Sequence, residues 1–157
     1  MNQPRLAKTG FLNALDIRPD ETECKANLAL AYDMAGMVDS AIYWYKKVLD
    51  VKHSDANLYY TVGRIYGIKL NQLDSAIKYI SMAIDVDADF RNAYVDLALA
   101  YNLKGEPDAA ILVSEKCLAK YNDYLPALRN LLDAYTNKND QSKVQEYKNR
   151  IAALTNR

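Results

Sequence analysis

The stretch Leu28-Ala29-Leu30-Ala31-Tyr32 returns later in the chain as Leu97-Ala98-Leu99-Ala100-Tyr101, and this return decides the fold. The closing tyrosine belongs to a series with gaps of 34, 35 and 34 residues: Tyr32, Tyr66, Tyr101 and Tyr135. A second series has gaps of 35, 34 and 34 residues: Ala41, Ala76, Ala110 and Val144. Because two independent series keep one period, the sequence predicts a tandem array of one structural unit.

Each unit has the pattern of two helices joined by a turn. In the first half, Leu28, Ala29 and Tyr32 recur at helical spacing. Gly36 and Gly105 follow, at a place where a glycine suits the end of a helix. The second half opens on a motif that occurs three times: Asp39-Ser40-Ala41-Ile42, Asp74-Ser75-Ala76-Ile77 and Asp108-Ala109-Ala110-Ile111.

The second unit is one residue longer than the first. Ten steps separate Tyr66 from Ala76, against nine from Tyr32 to Ala41, and we place the extra residue in the turn of this unit. The array as a whole resembles the tetratricopeptide repeat, a helix–turn–helix unit of about 34 residues. The resemblance covers nearly the whole chain and rests on the tyrosines and on small residues at the expected helix contacts: Ala29 with Ala41, Gly63 with Ala76, and Ala98 with Ala110.

The resemblance implies an all-α fold, a superhelical solenoid of antiparallel helix pairs formed by residues 1–157 as a single array. We expect a half repeat over 4–19 and full repeats over about 22–55, 56–90, 91–124 and 125–157. The predicted helices are 4–16, 22–35, 38–51, 56–69, 73–86, 90–104, 107–120, 124–137 and 141–154.

In this family the first helix of each unit lines a concave groove, which the resemblance implies here as the site for a peptide or partner segment. The amide of an asparagine can both donate hydrogen bonds to a peptide backbone and accept them from it. Arginine can pair with a carboxylate, and tyrosine and leucine offer apolar contact. The alternative for any one of these residues is an ordinary solvated side chain. The candidate peptide-binding residues are Asn57, Tyr60, Arg64, Asn92, Val95, Asp96, Leu99, Asn102, Arg129 and Asp133.

By the same register the groove floor also contains Leu30, Met34, Ile68 and Leu103, and Arg64 and Arg129 are expected to be its only positive charges. Some co-chaperone repeats clamp the carboxylate at the C-terminus of heat-shock chaperones with lysines, asparagines and an arginine. Neither possible register of this chain carries that set, so this form of recognition is not expected.

Composition narrows the function class. Twenty basic and twenty acidic residues give the 157-residue chain a formal net charge of zero, so no overall field draws it to nucleic acid or to an anionic membrane. The basic patch at Lys46, Lys47, Lys52 and His53 is interpreted as solvated surface. His53 is the only histidine, and no phosphate loop, nucleophile motif or metal-ligand spacing occurs, so we expect no catalysis, no cofactor and no metal.

The sequence therefore predicts a scaffold for protein–protein interaction that binds a peptide or protein partner in its groove. The alternatives are a structural spacer within a larger protein and, less favoured, a nucleic-acid-binding helical repeat. Exposed apolar residues on the predicted helix 4–16 also predict weak self-association through Leu6, Phe11 and Leu12. No secretory signal or membrane span is recognised, which favours the cytoplasm unless the chain is a fragment that has lost an upstream signal.

Overall fold

The computed structural model describes residues 21–156, and every regular element in this range is helical. The eight helices agree with the predicted bounds to within two residues, and the predicted helix 4–16 lies outside the described residues. They are α1 (Thr22–Met34), α2 (Val38–Leu49), α3 (Ala56–Arg64, continued by a π-helical turn at Ile65–Lys69), α4 (Leu73–Val86), α5 (Arg91–Lys104), α6 (Pro107–Lys120), α7 (Leu125–Asn137) and α8 (Gln141–Thr155).

Each first helix ends with one residue in the left-handed region. Gly36 and Gly105 have φ of 72° and 82° there, as the sequence predicts, and glycine adopts this conformation without a Cβ clash. Asn71 and Asn139 take the same place in the other two units, with φ of 52° and 57°. This residue type tolerates the left-handed region better than most, so asparagine can end a helix as glycine does.

The extra residue of the second unit lies within the end of α3. The sequence predicts it in the turn, so that prediction is wrong. The last helical turn is widened to a π-helix over Ile65–Lys69, the usual structural result of a one-residue insertion in a helix. In the first unit the N–H of Met37 donates to the carbonyl of Tyr32, five residues back. In the second unit the N–H of Gln72 donates to the carbonyl of Tyr66, six residues back.

Small residues at the helix contacts let paired helices approach closely. Ala29, Ala41, Ala98 and Ala110 are fully buried. A Cβ built on Gly63 would lie 2.6 Å from Cγ1 of Ile80, so α3 and α4 can cross at this distance only with glycine there. One core runs from Leu28 to Ala127, and a smaller one continues it around Leu128, Leu131 and Tyr147.

Among residues 21–156, no helix is both long enough and apolar enough to cross a membrane.

Candidate functional site

The exposed sides of α1, α3, α5 and α7 form one surface, here called the first-helix face. Two positions of the repeat project from it in every unit. One position holds Leu30, Arg64, Leu99 and Asp133. The other holds Met34, Ile68, Leu103 and Asn137, and its three apolar members, the apolar row, are 69%, 69% and 66% exposed. Aliphatic side chains repeated at one exposed position across three units are typical of a binding surface.

A cluster of three predicted site residues joins α3 to α5 on this face. The hydroxyl of Tyr60 donates to Oδ2 of Asp96 at 2.8 Å, and Nε of Arg64 lies 3.5 Å from the same oxygen. The ring of Tyr60 packs against Phe90, with centroids 4.8 Å apart, and the Arg64 guanidinium lies over the Tyr60 ring, 5.6 Å from its centroid. Burial, and then the hydrogen bond to Asp96, raise the pKa of Tyr60 above its usual value. Arg64 therefore already has a carboxylate partner within the chain.

Asparagine side chains join α5 to α7 in a second cluster. Nδ2 of Asn102 donates to the carbonyl of Asn130 at 2.9 Å, and Nδ2 of Asn130 donates to the carbonyl of Val95 at 2.8 Å. Asn130 is only 5% exposed, and Oδ1 of Asn102 is buried with no hydrogen-bond partner among residues 21–156. The sequence predicts that Asn102 contacts a peptide, and in the structure its amide bonds the neighbouring helix.

The other predicted site residues are spread along the array. Asn57 lies at the exposed start of α3, beside His53, where an open hollow of about 650 Å³ follows the turn between repeats. Oδ1 of Asn92 accepts a hydrogen bond from the hydroxyl of Tyr124 at 3.2 Å. Arg129 and Asp133 are exposed on α7.

Two adjacent hollows bring together the central residues of the first-helix face. The first, here called the Gly67 socket, has a volume of about 270 Å³ between α3, α4 and α5. The second, the Lys69 hollow, has about 320 Å³ and lies between α1 and α3. Arg64 and Ile68 form the wall between them. Of the predicted residues, Tyr60, Arg64, Asp96 and Leu99 line one hollow or both.

Two residues of these hollows were not predicted. Lys69 forms an ion pair with Asp33 at 2.7 Å, so Arg64 and Arg129 are not the only cations near the groove floor. Gly67 carries no side chain at a position where the other units have Asp33, Asn102 and Thr136. Aligning the four units at this position is the sequence signal that could have revealed the socket.

Comparison with known proteins identifies the repeat. The family model described as "Tetratricopeptide repeat" matches residues 56–90 and 92–119, which cover the helix pairs α3–α4 and α5–α6. The helix pairs α3–α4 and α5–α6 are tetratricopeptide repeats. Tetratricopeptide repeats commonly bind protein partners, and the fold is one typical of protein–protein interaction scaffolds.

Solved tetratricopeptide repeat structures share this architecture. The crystal structure of MamA superposes with a TM-score of 0.82 at 24% identity, covering 93% of this chain and 85% of that chain. YrrB, described as a tetratricopeptide repeat protein with an unusual peptide-binding site, gives 0.83 at 18% identity, covering 98% and 78%. At these identities the likeness shows the fold alone.

A relative of known sequence is much longer than this chain. Protein O-mannosyl-transferase TMTC3 of Homo sapiens is 27% identical over 124 residues, which make up 77% of this chain and 13% of that protein. The chain thus spans a small part of that relative's length.

The cysteines of this tetratricopeptide repeat array are free, with Cys117 buried and Cys24 half-buried. Burial raises the pKa of the Cys117 thiol, which disfavours the nucleophilic thiolate at neutral pH. Over residues 21–156, no group of three histidine, cysteine or acidic side chains is placed to hold a metal ion. Leu6, Phe11 and Leu12, the predicted self-association residues, lie outside this range.

Proposed function

We propose that the first-helix face binds a segment of a partner protein, and that the chain acts as a scaffold with no catalysis of its own. The observation that carries this proposal is the apolar row, Met34, Ile68 and Leu103, whose members are each about two-thirds exposed. The same position in the fourth unit is Asn137, so the binding surface is confined to the first three units.

The energetic reason is the hydrophobic effect. Fully covering one aliphatic side chain contributes about 1.5 to 3 kcal/mol, so three such side chains offer a partner a substantial gain. Leu30 and Leu99 add a second apolar position beside the row, at 48% and 42% exposure. YrrB, which shares this fold and is described as having a peptide-binding site, supports the same general use of the array.

The polar clusters have a different part in this proposal. Tyr60 with Asp96, and Asn102 with Asn130, fasten successive first helices to one another. They hold the floor of the groove in place for the partner, and the aliphatic side chains supply most of the contact.

A peptide selection tests the proposal. Random peptides displayed on phage are selected on the purified chain, and the affinity of each selected peptide is measured by fluorescence polarisation. We expect Leu103→Asp to weaken binding by about tenfold or more, which corresponds to ~1.4 kcal/mol. Circular dichroism checks that the variant keeps its helices.

Leu112→Asp is the matched control. Leu112 is 55% exposed on α6, a second helix, and so lies away from the first-helix face. The proposal requires that this variant bind as the unchanged chain does. A selection that yields no binding peptide, or equal losses in the two variants, would contradict it.

A further inference from the structure

The Gly67 socket lies at a repeat position where one unit lacks a side chain that its neighbours have. In the first unit Asp33 stands at this position and pairs with Lys69 at 2.7 Å, at the edge of the Lys69 hollow. In the third unit Asn102 stands there and reaches the backbone of α7. Between α3 and α5 the position is Gly67, and about 270 Å³ is left open.

The socket has the lining of a receptor for an apolar side chain. Its walls are mostly aliphatic or small, and two of them, Ile68 and Leu103, belong to the apolar row. A side chain that enters from the first-helix face therefore leaves water and contacts carbon on several sides. The other apolar side chains of its lining are those of Leu73, Ala76, Ile80, Leu99 and Ala100.

At the mouth of the socket and in the hollow beside it, the cationic side chains are more exposed than their acidic partners. The side chain of Arg64 is 51% exposed and that of its partner Asp96 is 30% exposed. In the neighbouring Lys69 hollow, Lys69 is 37% exposed and Asp33 is 22% exposed. The contact to Asp96 is made by Nε of Arg64, and a guanidinium has five donors, so the terminal nitrogens are available to a second carboxylate.

From these observations we propose that the chain recognises an internal partner segment in which a large aliphatic residue stands next to an acidic one. The aliphatic side chain occupies the Gly67 socket, and the carboxylate pairs with Arg64 at its rim. This inference rests on the proposed function and adds the chemistry of the partner. The acidic group is a side chain, because neither register of the repeats carries the clamp residues that recognise a C-terminal carboxylate.

The pattern of selected peptides is the first test. A phage library that presents random peptides without a free C-terminus is selected on the full chain, in parallel with one that presents free C-termini. We expect the first library to be enriched in a large aliphatic residue beside aspartate or glutamate. Enrichment only in the second library, or peptides without this pair, would overturn the inference.

Filling the socket is the second test. A Cβ on Gly67 would lie 3.4 Å from Cβ of Ala76, an ordinary contact, so Gly67→Leu can place its side chain in the socket. We expect Gly67→Leu to weaken peptide binding by about tenfold or more and Gly67→Ala, the matched control, to weaken it far less. If Gly67→Leu does not fold, replacing the aliphatic peptide residue by serine gives the same comparison on the unchanged chain.

A double-mutant cycle isolates the contribution of the ion pair between Arg64 and the carboxylate of the peptide. Arg64→Leu copies Leu30 and Leu99, which hold the same position in neighbouring units. We expect the change of the peptide's aspartate to asparagine to weaken binding to the unchanged chain and to have little effect on Arg64→Leu. Equal effects on the two chains would overturn the pairing with Arg64.

The two proposals fail in distinguishable ways. If Leu103→Asp abolishes binding but the peptides lack the aliphatic–acidic pair, the first-helix face is a binding surface and only the present inference is wrong. If binding is indifferent to Leu103→Asp, both are wrong.

Discussion

The hydroxyl of Tyr60 bonds the carboxylate of Asp96 across 36 residues of sequence, and this bond fastens α3 to α5. The same two repeat positions hold Val95 and Asn130 one unit later, where the Asn130 amide donates to the Val95 carbonyl. The same pair of repeat positions therefore connects successive first helices by a tyrosine–carboxylate hydrogen bond in one place and by an asparagine–backbone hydrogen bond in the next.

We expect Tyr60→Phe to lower the free energy of unfolding by about 1 to 2 kcal/mol, because hydrogen bonds to charged groups contribute somewhat more than neutral ones. The ring and its contact with Phe90 are kept in this variant. Urea unfolding followed by circular dichroism measures the change. Tyr43→Phe, at a tyrosine that is 53% exposed, is the control and should leave the unfolding midpoint unchanged.

Stability should fall as pH rises above 10. Burial raises the pKa of Tyr45 to about 12, and burial also raises the pKa of Tyr60. A phenol whose pKa is higher in the folded chain holds its proton more tightly there. Its contribution to the free energy of unfolding is therefore complete below the unfolded pKa of 10.0 and is lost between that value and the folded pKa. The loss is roughly 1.4 kcal/mol per pH unit for each tyrosine.

Urea unfolding of the unchanged chain, Tyr45→Phe and Tyr60→Phe on both sides of pH 10 measures this dependence. Each variant should show a shallower fall than the unchanged chain. Parallel curves for all three chains would show that these phenols do not carry the effect.

Two glycines four residues apart should respond oppositely to alanine. Gly63→Ala places a Cβ 2.6 Å from Cγ1 of Ile80 and 3.0 Å from its backbone nitrogen, and overpacking of this kind costs about 1 to 3 kcal/mol. Gly67→Ala meets only Cβ of Ala76 at 3.4 Å and should be neutral or slightly stabilising. Thermal unfolding of the two variants decides this, and equal melting temperatures would contradict the close crossing of α3 and α4.

Asn130→Asp should destabilise the array more than Asn130→Ala at neutral pH. The alanine variant loses the hydrogen bond to Val95, which costs about 1 to 3 kcal/mol at a buried site. The aspartate variant also brings a carboxylate into a place that is 5% exposed, where it cannot donate to a carbonyl. Urea unfolding of both variants, with Asn137→Ala on the exposed side of α7 as control, measures the order.

The helices were predictable because the same helix pattern recurs in several units of the sequence. The tyrosine and alanine series set the period, and Gly36 and Gly105 mark two of the helix ends. Asn71 and Asn139, which end the other two first helices, were missed because asparagine also occurs throughout the groove floor and carries no specific signal there.

The candidate site was only partly predictable. The repeat register places a residue on a face, but it does not say which neighbour the side chain bonds. The register predicts that Arg64 and Asn102 bind a peptide, and the structure gives them partners in the adjacent unit, Asp96 and Asn130. These bonds depend on the distance between successive first helices, and the Gly67 socket depends on a missing side chain, which hydrophobic periodicity does not detect.

The π-helical turn at Ile65–Lys69 shows that one extra residue in a helix can change the partner of a lysine at a fixed repeat position. Lys104 and Lys138 each follow the repeat tyrosine by three residues and pair with Asp74 and Asp108 on the preceding second helix. Lys69 follows Tyr66 by the same three residues, yet it pairs with Asp33 on a first helix. Insertions and deletions inside helices therefore offer evolution, and protein engineers, a means to redirect side chains on one repeat without disturbing the period of the others.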